Sequence, residues 1–444
     1  VPLDPSWLAE VSEWLRIPSV SADPAHQADV RAAGDWLCAF VRGAGGTCEL
    51  VDHGKRPLAM GELRASTDAD AAPTVLVYGH FDVQPPAPLE LWESPPFEPT
   101  IRDEWLYARG VADDKGQLYL LLKAATLLAA EGALPVNVRI ACDGEEEVGG
   151  HSIVDWIGED ERGADAAVIF DAHMPRRGQP AFYIATRGVC YFHVRVKTGQ
   201  RDLHSGSFGG AALSATHALL RTLSGVLAGP DGRLPEALRR GIAPPTAQEL
   251  ADWSSQQAGA EVLADQGARP MDPTAAQEFY LRTWGEPSVD VNGVEGGSPR
   301  LQKTVIPISA EANLSMRLAA GQTVEEIVPE VERLLCESAP AGAEVQVDLW
   351  SAAPPGLIPP DSATIRLGQD AFERALGVRP LLLRSGGTLP IVPALADKGI
   401  PTIVTGFDLP EGNLHSPNER LLVEHVPLGV AAAQELFRSL ARLR

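Results

Sequence analysis

Residues 74–78, Thr-Val-Leu-Val-Tyr, form a short apolar run with β-branched side chains, and Gly79 breaks it just before His80, Phe81 and Asp82. Such a run suits a buried strand, so the histidine and the aspartate stand where a strand ends and a loop begins. In extended backbone, residues two apart leave the same face. A carboxylate beside an imidazole can then fix the tautomer that metal binding requires. An isolated His-x-Asp is equally the polar end of an ordinary strand, and its weight depends on partners elsewhere in the chain.

The same grammar recurs downstream. After an amphipathic N-terminal helix and a second helix ending at Gly43, strands are expected at 47–51, 105–108, 136–142 and 166–170. Helices are expected at 116–131 and 152–157, the first apolar on nearly every side and therefore buried. Strands alternating with helices predict an α/β sheet with a largely parallel core. From Gly188 the pattern changes. Strands at 189–196, 309–318 and 344–350 accompany helices at 211–227 and around Val324 to Leu335. In 309–318 the residues Ala310, Ala312, Leu314, Met316 and Leu318 face one way while Glu311, Asn313, Ser315 and Arg317 face the other, which predicts an α+β domain with one wet sheet face. Segment 229–296, rich in Pro, Gly and polar residues, gives no placement. After Ala353-Pro354-Pro355, a helix at 362–376 and strands at 380–383 and 402–405 resume the first grammar. The expected organisation is one domain made of 1–187 and 357–444, interrupted by a smaller domain over 188–356.

Composition narrows the partners. A formal charge of -22 without a Lys/Arg-rich run argues against nucleic acid and anionic membrane surfaces and leaves a small molecule or peptide. Five cysteines with no CxxC spacing fit a reducing compartment, so a cytoplasmic location is expected. No apolar stretch is long enough to span a bilayer. The chain carries no HExxH, GxSxG or Walker A sequence.

Five residues of metal-ligating type fall at predicted strand ends or in nearby loops: His80, Asp113, Glu147, Asp171 and His415. In α/β sheets, sites gather at the carboxyl ends of strands. The acidic triplet Glu145, Glu146 and Glu147 leaves a predicted buried strand. An EEE run is usually a solvated loop, but here like charges crowd together unless cations compensate them. The set resembles the binuclear metallopeptidases of the M20 family, over nearly the whole chain. The motifs that carry the resemblance are GHFDVQP from Gly79, ARGVADDKG from Ala108, DGEEEVGG from Asp143, FDAH from Phe170 and LHSPNE from Leu414.

The resemblance implies a zinc-peptidase-like catalytic domain interrupted by a lid and dimerisation domain. It implies His80 and Asp171 on one metal, Glu147 and His415 on the other, Asp113 bridging both, and a cis peptide between Asp113 and Asp114. Asp82 would be the carboxylate partner of His80, Glu146 the catalytic acid and base, and Glu145 a structural residue. Two divalent ions per subunit are expected, zinc first, with manganese or cobalt as alternatives that a cysteine-free ligand set also suits. Within the inserted domain, DLHSGSFGG from Asp202 resembles the carnosinase-like branch and puts His204 against the oxyanion, in a homodimer. Arg317 matches an arginine that holds the substrate's terminal carboxylate; Thr304, Gly387 and Thr388 match substrate-contacting segments. The implied activity is hydrolysis of dipeptides with a free C-terminus. The alternatives are an N-acyl-amino-acid deacylase or succinyl-diaminopimelate-type desuccinylase, and a silent relative that binds without turnover.

Overall fold

The run at 74–78 is a strand, Thr74–Tyr78, whose last four residues are buried. It lies inside a six-stranded sheet ordered Thr47–His53, Arg56–Leu63, Asn137–Cys142, Thr74–Tyr78, Ala166–Phe170, Thr402–Thr405. The computed structural model describes residues 4–54 and 56–443. The last four strands of the sheet run parallel to one another, and the first two join antiparallel. Asn137–Cys142 and Ala166–Phe170 are buried at every position, as strands covered on both faces must be. The mixed sheet thus has the parallel core expected.

The chain divides into two units. The first comprises Val1–Ile184, Ile358–Leu383 and Pro390–Arg444. Its central helix, Lys115–Ala130, is buried around almost its whole circumference. The helix His425–Leu440 packs beside it, and Gly429 permits the close approach, since a Cβ there would meet Leu120 and Phe407. That helix was not anticipated, and neither was Arg56–Leu63, whose Pro57 and Gly61 blur the strand signal. Gly61 is needed where it stands, because a Cβ would press on the Thr47 carbonyl and Cys48. No helix among the described residues is long and apolar enough to cross a membrane.

The second unit, Ala185–Leu357 with Arg384–Leu389, is built on an antiparallel sheet ordered Ser288–Glu295, Ser309–Leu318, Gly188–Lys197, Glu344–Ala353. The predicted alternation holds: Ala310, Ala312, Leu314 and Met316 join Phe192 and Val194 in a core under the helices Ala215–Ser224 and Val324–Ser338. On the opposite face His193 stacks on Trp350 at 4.7 Å between ring centroids. Residues 384–389, expected with the returning segment, fall in this second unit. Ser385 N donates to the Ala185 carbonyl at 2.7 Å and Arg187 N to the Gly387 carbonyl at 2.9 Å, which fastens the turn there.

Segment 229–296, unplaced from sequence, contains Ala247–Ser254 with a capping box between Thr246 and Glu249, Gly259–Asp265, a π-helical turn Leu281–Gly285, and the edge strand Ser288–Glu295. It is anchored by Glu249, which accepts from Arg384 Nε at 2.7 Å; the two side chains are 1 % and 2 % exposed. Removing one member of such a pair strands the other charge in a dry site. Glu249→Ala is therefore expected to destabilise the second unit by about 3 kcal/mol or more, and Glu249→Leu with Arg384→Met to recover much of it. Urea unfolding followed by tryptophan fluorescence checks both variants.

Candidate metal centre

The loops leaving the parallel strands converge, all within the first unit. His80 follows Thr74–Tyr78 and bridges to Asp143, which follows Asn137–Cys142. Asp171 follows Ala166–Phe170. Asp113 stands just before the helix Lys115–Ala130, and His415 lies in the loop leading to Arg420–Leu422. The peptide between Asp113 and Asp114 is cis, as the resemblance implied.

One carboxylate organises this cluster. His80 Nε2 is 2.8 Å from Asp113 Oδ1, and His415 Nε2 is 2.8 Å from Asp113 Oδ2 and 3.3 Å from Glu147 Oε2. Each oxygen of Asp113 thus faces a different imidazole. Burial works against its ionisation, yet hydrogen bonds from His415 and His80 outweigh that and hold its carboxyl below the usual carboxylate range. His415 is raised to about 10, first by its hydrogen bond to Asp113 and then by Glu147. Burial opposes a charge on His80, but its bonds to Asp113 and Asp82 lift it well above the usual imidazole value.

Asp82 meets His80 through both its backbone and its side chain. The nearer contact to His80 Nδ1 is the Asp82 backbone carbonyl, at 3.0 Å, while its carboxylate oxygen lies at 3.4 Å. The two carboxylate oxygens accept from the backbone N–H groups of Glu146 and Glu147, each at 3.2 Å. Asp82 thereby sets both the ring of His80 and the position of the two glutamates. Glu145 accepts from Ser152 N at 2.8 Å and Ser152 Oγ at 2.6 Å, tying the loop to the helix His151–Glu159.

Glu419 and Gln84 were not singled out from the sequence. Glu419, buried, accepts from Arg109 Nη1 at 2.7 Å and from the N–H groups of Gly110, Ala112 and Asp113 at 2.8–3.1 Å, so it shapes the loop that carries Asp113. Its place as the last residue of LHSPNE, where an acid closes the motif, was the available signal. Gln84 Nε2 donates to Glu147 Oε2 at 2.7 Å.

The residues fit cations. Donor atoms of His80, Asp113 and Glu147 lie within 4.8 Å of one another. Glu147 Oε1 is buried without a hydrogen-bond partner. Asp171 is pushed well above the usual carboxyl range by burial and then by the charge of Asp113, an environment short of positive charge. Nitrogen and oxygen donors without sulfur suit divalent first-row metals. Beside them, burial pushes Glu146 up to about 7, with Asp113 and Glu147 adding to this against the opposing charge of His80. A carboxyl near 7 can accept and return a proton at neutral pH.

The remaining candidates lie in the second unit, in two groups. His204, exposed, pairs with Val305 in the ribbon of Leu203–His204 and Val305–Ile306, next to Thr304. Arg317 Nη1 donates to Thr388 Oγ1 at 3.0 Å, and that hydroxyl donates to the Arg187 carbonyl at 2.6 Å. Gly387 supplies the carbonyl that receives Arg187 N.

Comparison with known proteins gives a consistent result. The sequence profile described as Peptidase family M20/M25/M40 matches residues 76–439. A Cys-Gly metallodipeptidase of Schizosaccharomyces pombe is 28 % identical over 96 % of this chain and 93 % of its own length. A Beta-Ala-His dipeptidase of Mus musculus is 28 % identical over 93 % and 88 %. Among solved structures, human carnosine dipeptidase 1 is 25 % identical with a TM-score of 0.74, covering 99 % of this chain and 96 % of that one. An M20 family metallo-carboxypeptidase from Sulfolobus solfataricus, 23 % identical, shares the fold with a TM-score of 0.82, over 99 % of this chain and all of that one.

Hydrogen bonds to carboxylates favour the protonated form of both imidazoles, so a cation bound by them would compete with those protons. Zinc affinity is therefore expected to rise with pH up to about 10, where His415 loses its proton unaided. Calorimetric titration in buffers of different ionisation enthalpy should show proton release near pH 8, reduced in His415→Ala. Affinity independent of pH between 7 and 9 would contradict the pairing.

Proposed function

The chain belongs to peptidase family M20/M25/M40, and on that footing we propose that it is a binuclear metallo-dipeptidase acting on small peptides with a free C-terminal carboxylate. One observation supports this above the others: two imidazoles address opposite oxygens of Asp113, while the neighbouring Glu146 is a half-buried carboxyl pushed up to about 7. The similar curated chains are dipeptidases, so the deacylase and desuccinylase alternatives are not favoured.

In this proposal His80 and Asp171 hold one divalent ion, Glu147 and His415 hold the other, and Asp113 serves both. Bound there, zinc, or manganese or cobalt in its place, supplies Lewis acidity toward the amide carbonyl and lowers the pKa of water. Glu146 takes the water proton and hands it to the leaving amine. Asp82 keeps Glu146 and Glu147 in place through their N–H groups. Arg317, with Gly387 and Thr388, receives the terminal carboxylate, for which a planar guanidinium is suited. His204 supplies a donor to the developing oxyanion across a homodimer, each subunit completing the site of its partner, and Thr304 contacts the substrate. A cytoplasmic setting belongs to the same proposal, in keeping with five unpaired thiols.

Glu146→Gln removes the proton carrier and no ligand. It should bind metal as the wild type does while losing about 100-fold or more in kcat; near-normal kcat with full metal content would place the proton transfer elsewhere. The exchange of subunits tests His204. Mixing His204→Ala with Glu146→Gln should restore activity, because one site of the heterodimer then receives an intact His204 and keeps its own Glu146. A mixture as inactive as its components, with exchange verified, would exclude action across the dimer.

A further inference from the structure

Among the described residues four arginines are buried: Arg109, Arg139, Arg187 and Arg384. Three of them have a carboxylate at ion-pair distance, Arg109 with Glu419 at 2.7 Å, Arg139 with Asp160 at 2.6 Å and Arg384 with Glu249 at 2.7 Å. Arg187 does not. Its Nη1 donates to the Thr283 carbonyl at 2.9 Å and its Nη2 to Ser288 Oγ at 2.5 Å, both neutral acceptors, and its Nε is buried without a partner. Asp290 attracts it only from beyond ion-pair distance. Burying a charge without a counter-charge is costly, and proteins retain such a group where something else supplies the opposite charge.

The surroundings of Arg187 show where that charge would sit. Its carbonyl receives Thr388 Oγ1 at 2.6 Å, and the same hydroxyl accepts from Arg317 Nη1 at 3.0 Å, so one hydroxyl links the two arginines. The turn that carries Thr388 is fastened by Arg187 N to the Gly387 carbonyl. The π-helical turn Leu281–Gly285 presents the Thr283 carbonyl to the guanidinium, which holds Arg187 at this spot. Burial and then the like charge of Arg317 push Arg187 down to about 10. The Thr388 hydroxyl thus ties the Arg317 guanidinium to the backbone of Arg187, and among the described residues no acid is at ion-pair distance from either side chain.

We propose that the carboxylate of a peptide ligand held by Arg317 is the counter-charge of Arg187, which makes Arg187 a positioning residue that selects an anionic terminus. This rests on the reading above that Arg317 receives the C-terminal carboxylate. Arg187 itself is 6 % exposed and acts through Arg317, Thr388 and its own field, which weakens little in so dry a site. A terminal amide carries no net charge and gains almost nothing from it.

The test uses the metal-loaded full chain and two ligand pairs: alanyl-alanine with its C-terminal amide for kinetics, and alanine with alaninamide for binding followed by ligand-observed NMR. Arg187→Met should raise KM for alanyl-alanine about tenfold and leave that for the amide within about twofold, with kcat little changed, because only the charged terminus loses attraction. The preference for alanine over alaninamide should fall by the same factor. Arg187→Lys, which keeps the charge, should retain most of both preferences. Should Arg187→Met fail to fold, Arg187→Gln, which keeps an amide donor for the Thr283 carbonyl, takes its place. Equal losses for both members of a pair, unchanged preferences, or a lysine variant no better than the neutral one would each overturn the proposal. Absence of turnover in the wild type would refute the peptidase reading alone, since the alanine pair has no bond to cleave and still decides the anion site.

Discussion

Buried carboxylates gathered at one end of a parallel sheet are the constraint on which this structure turns. Water cannot solvate them there, so each must find a positive partner or stay protonated. Glu419 finds Arg109 and three backbone amides, and Asp82 finds two backbone amides and an imidazole. Asp113 finds two imidazoles. Glu146 and Asp171 find too little positive charge, and both are held above the usual carboxyl range. Asp82 and Glu419 hold loops in place through backbone amides, while Asp113, Glu146 and Asp171 are the acids to which the proposed function gives a cation or a proton.

The scaffold explains why the deficit can be sustained. Strands buried on both faces and a central helix buried around its circumference give a core large enough not to depend on the centre for its stability. The strand ends are thus rigid mounts. Loops leaving the parallel strands of one sheet emerge on the same side, which is why His80 and His415, distant in sequence, meet around the carboxylate of Asp113, which stands just before the central helix.

Much of this was legible in the residues themselves. Short apolar runs ending at His80, Asp143 and Asp171 read as strands because both faces are apolar, and the alternation of 309–318 read as a half-buried strand because only one face is. The unread parts owe their structure to distant contacts. Arg56–Leu63 is a strand despite its proline and glycine because two neighbours pair with it. Segment 229–296 is fixed in part by Glu249, whose partner Arg384 lies 135 positions away. The roles of Asp82 and Glu419 depend on which backbone amides face them, and no pattern of residue types records that. Arg187 was invisible for the same reason, since what distinguishes it is the absence of an acid that its three buried counterparts possess.

The most direct measurement is hydrolysis of a dipeptide panel by chelator-stripped protein reconstituted with zero, one and two equivalents of zinc or manganese, with bound metal counted by elemental analysis. A centre built on a shared Asp113 should give no turnover without metal, and full turnover only when two ions are bound per chain. Turnover by protein verified to be metal-free, or activity complete at a single equivalent, would contradict it.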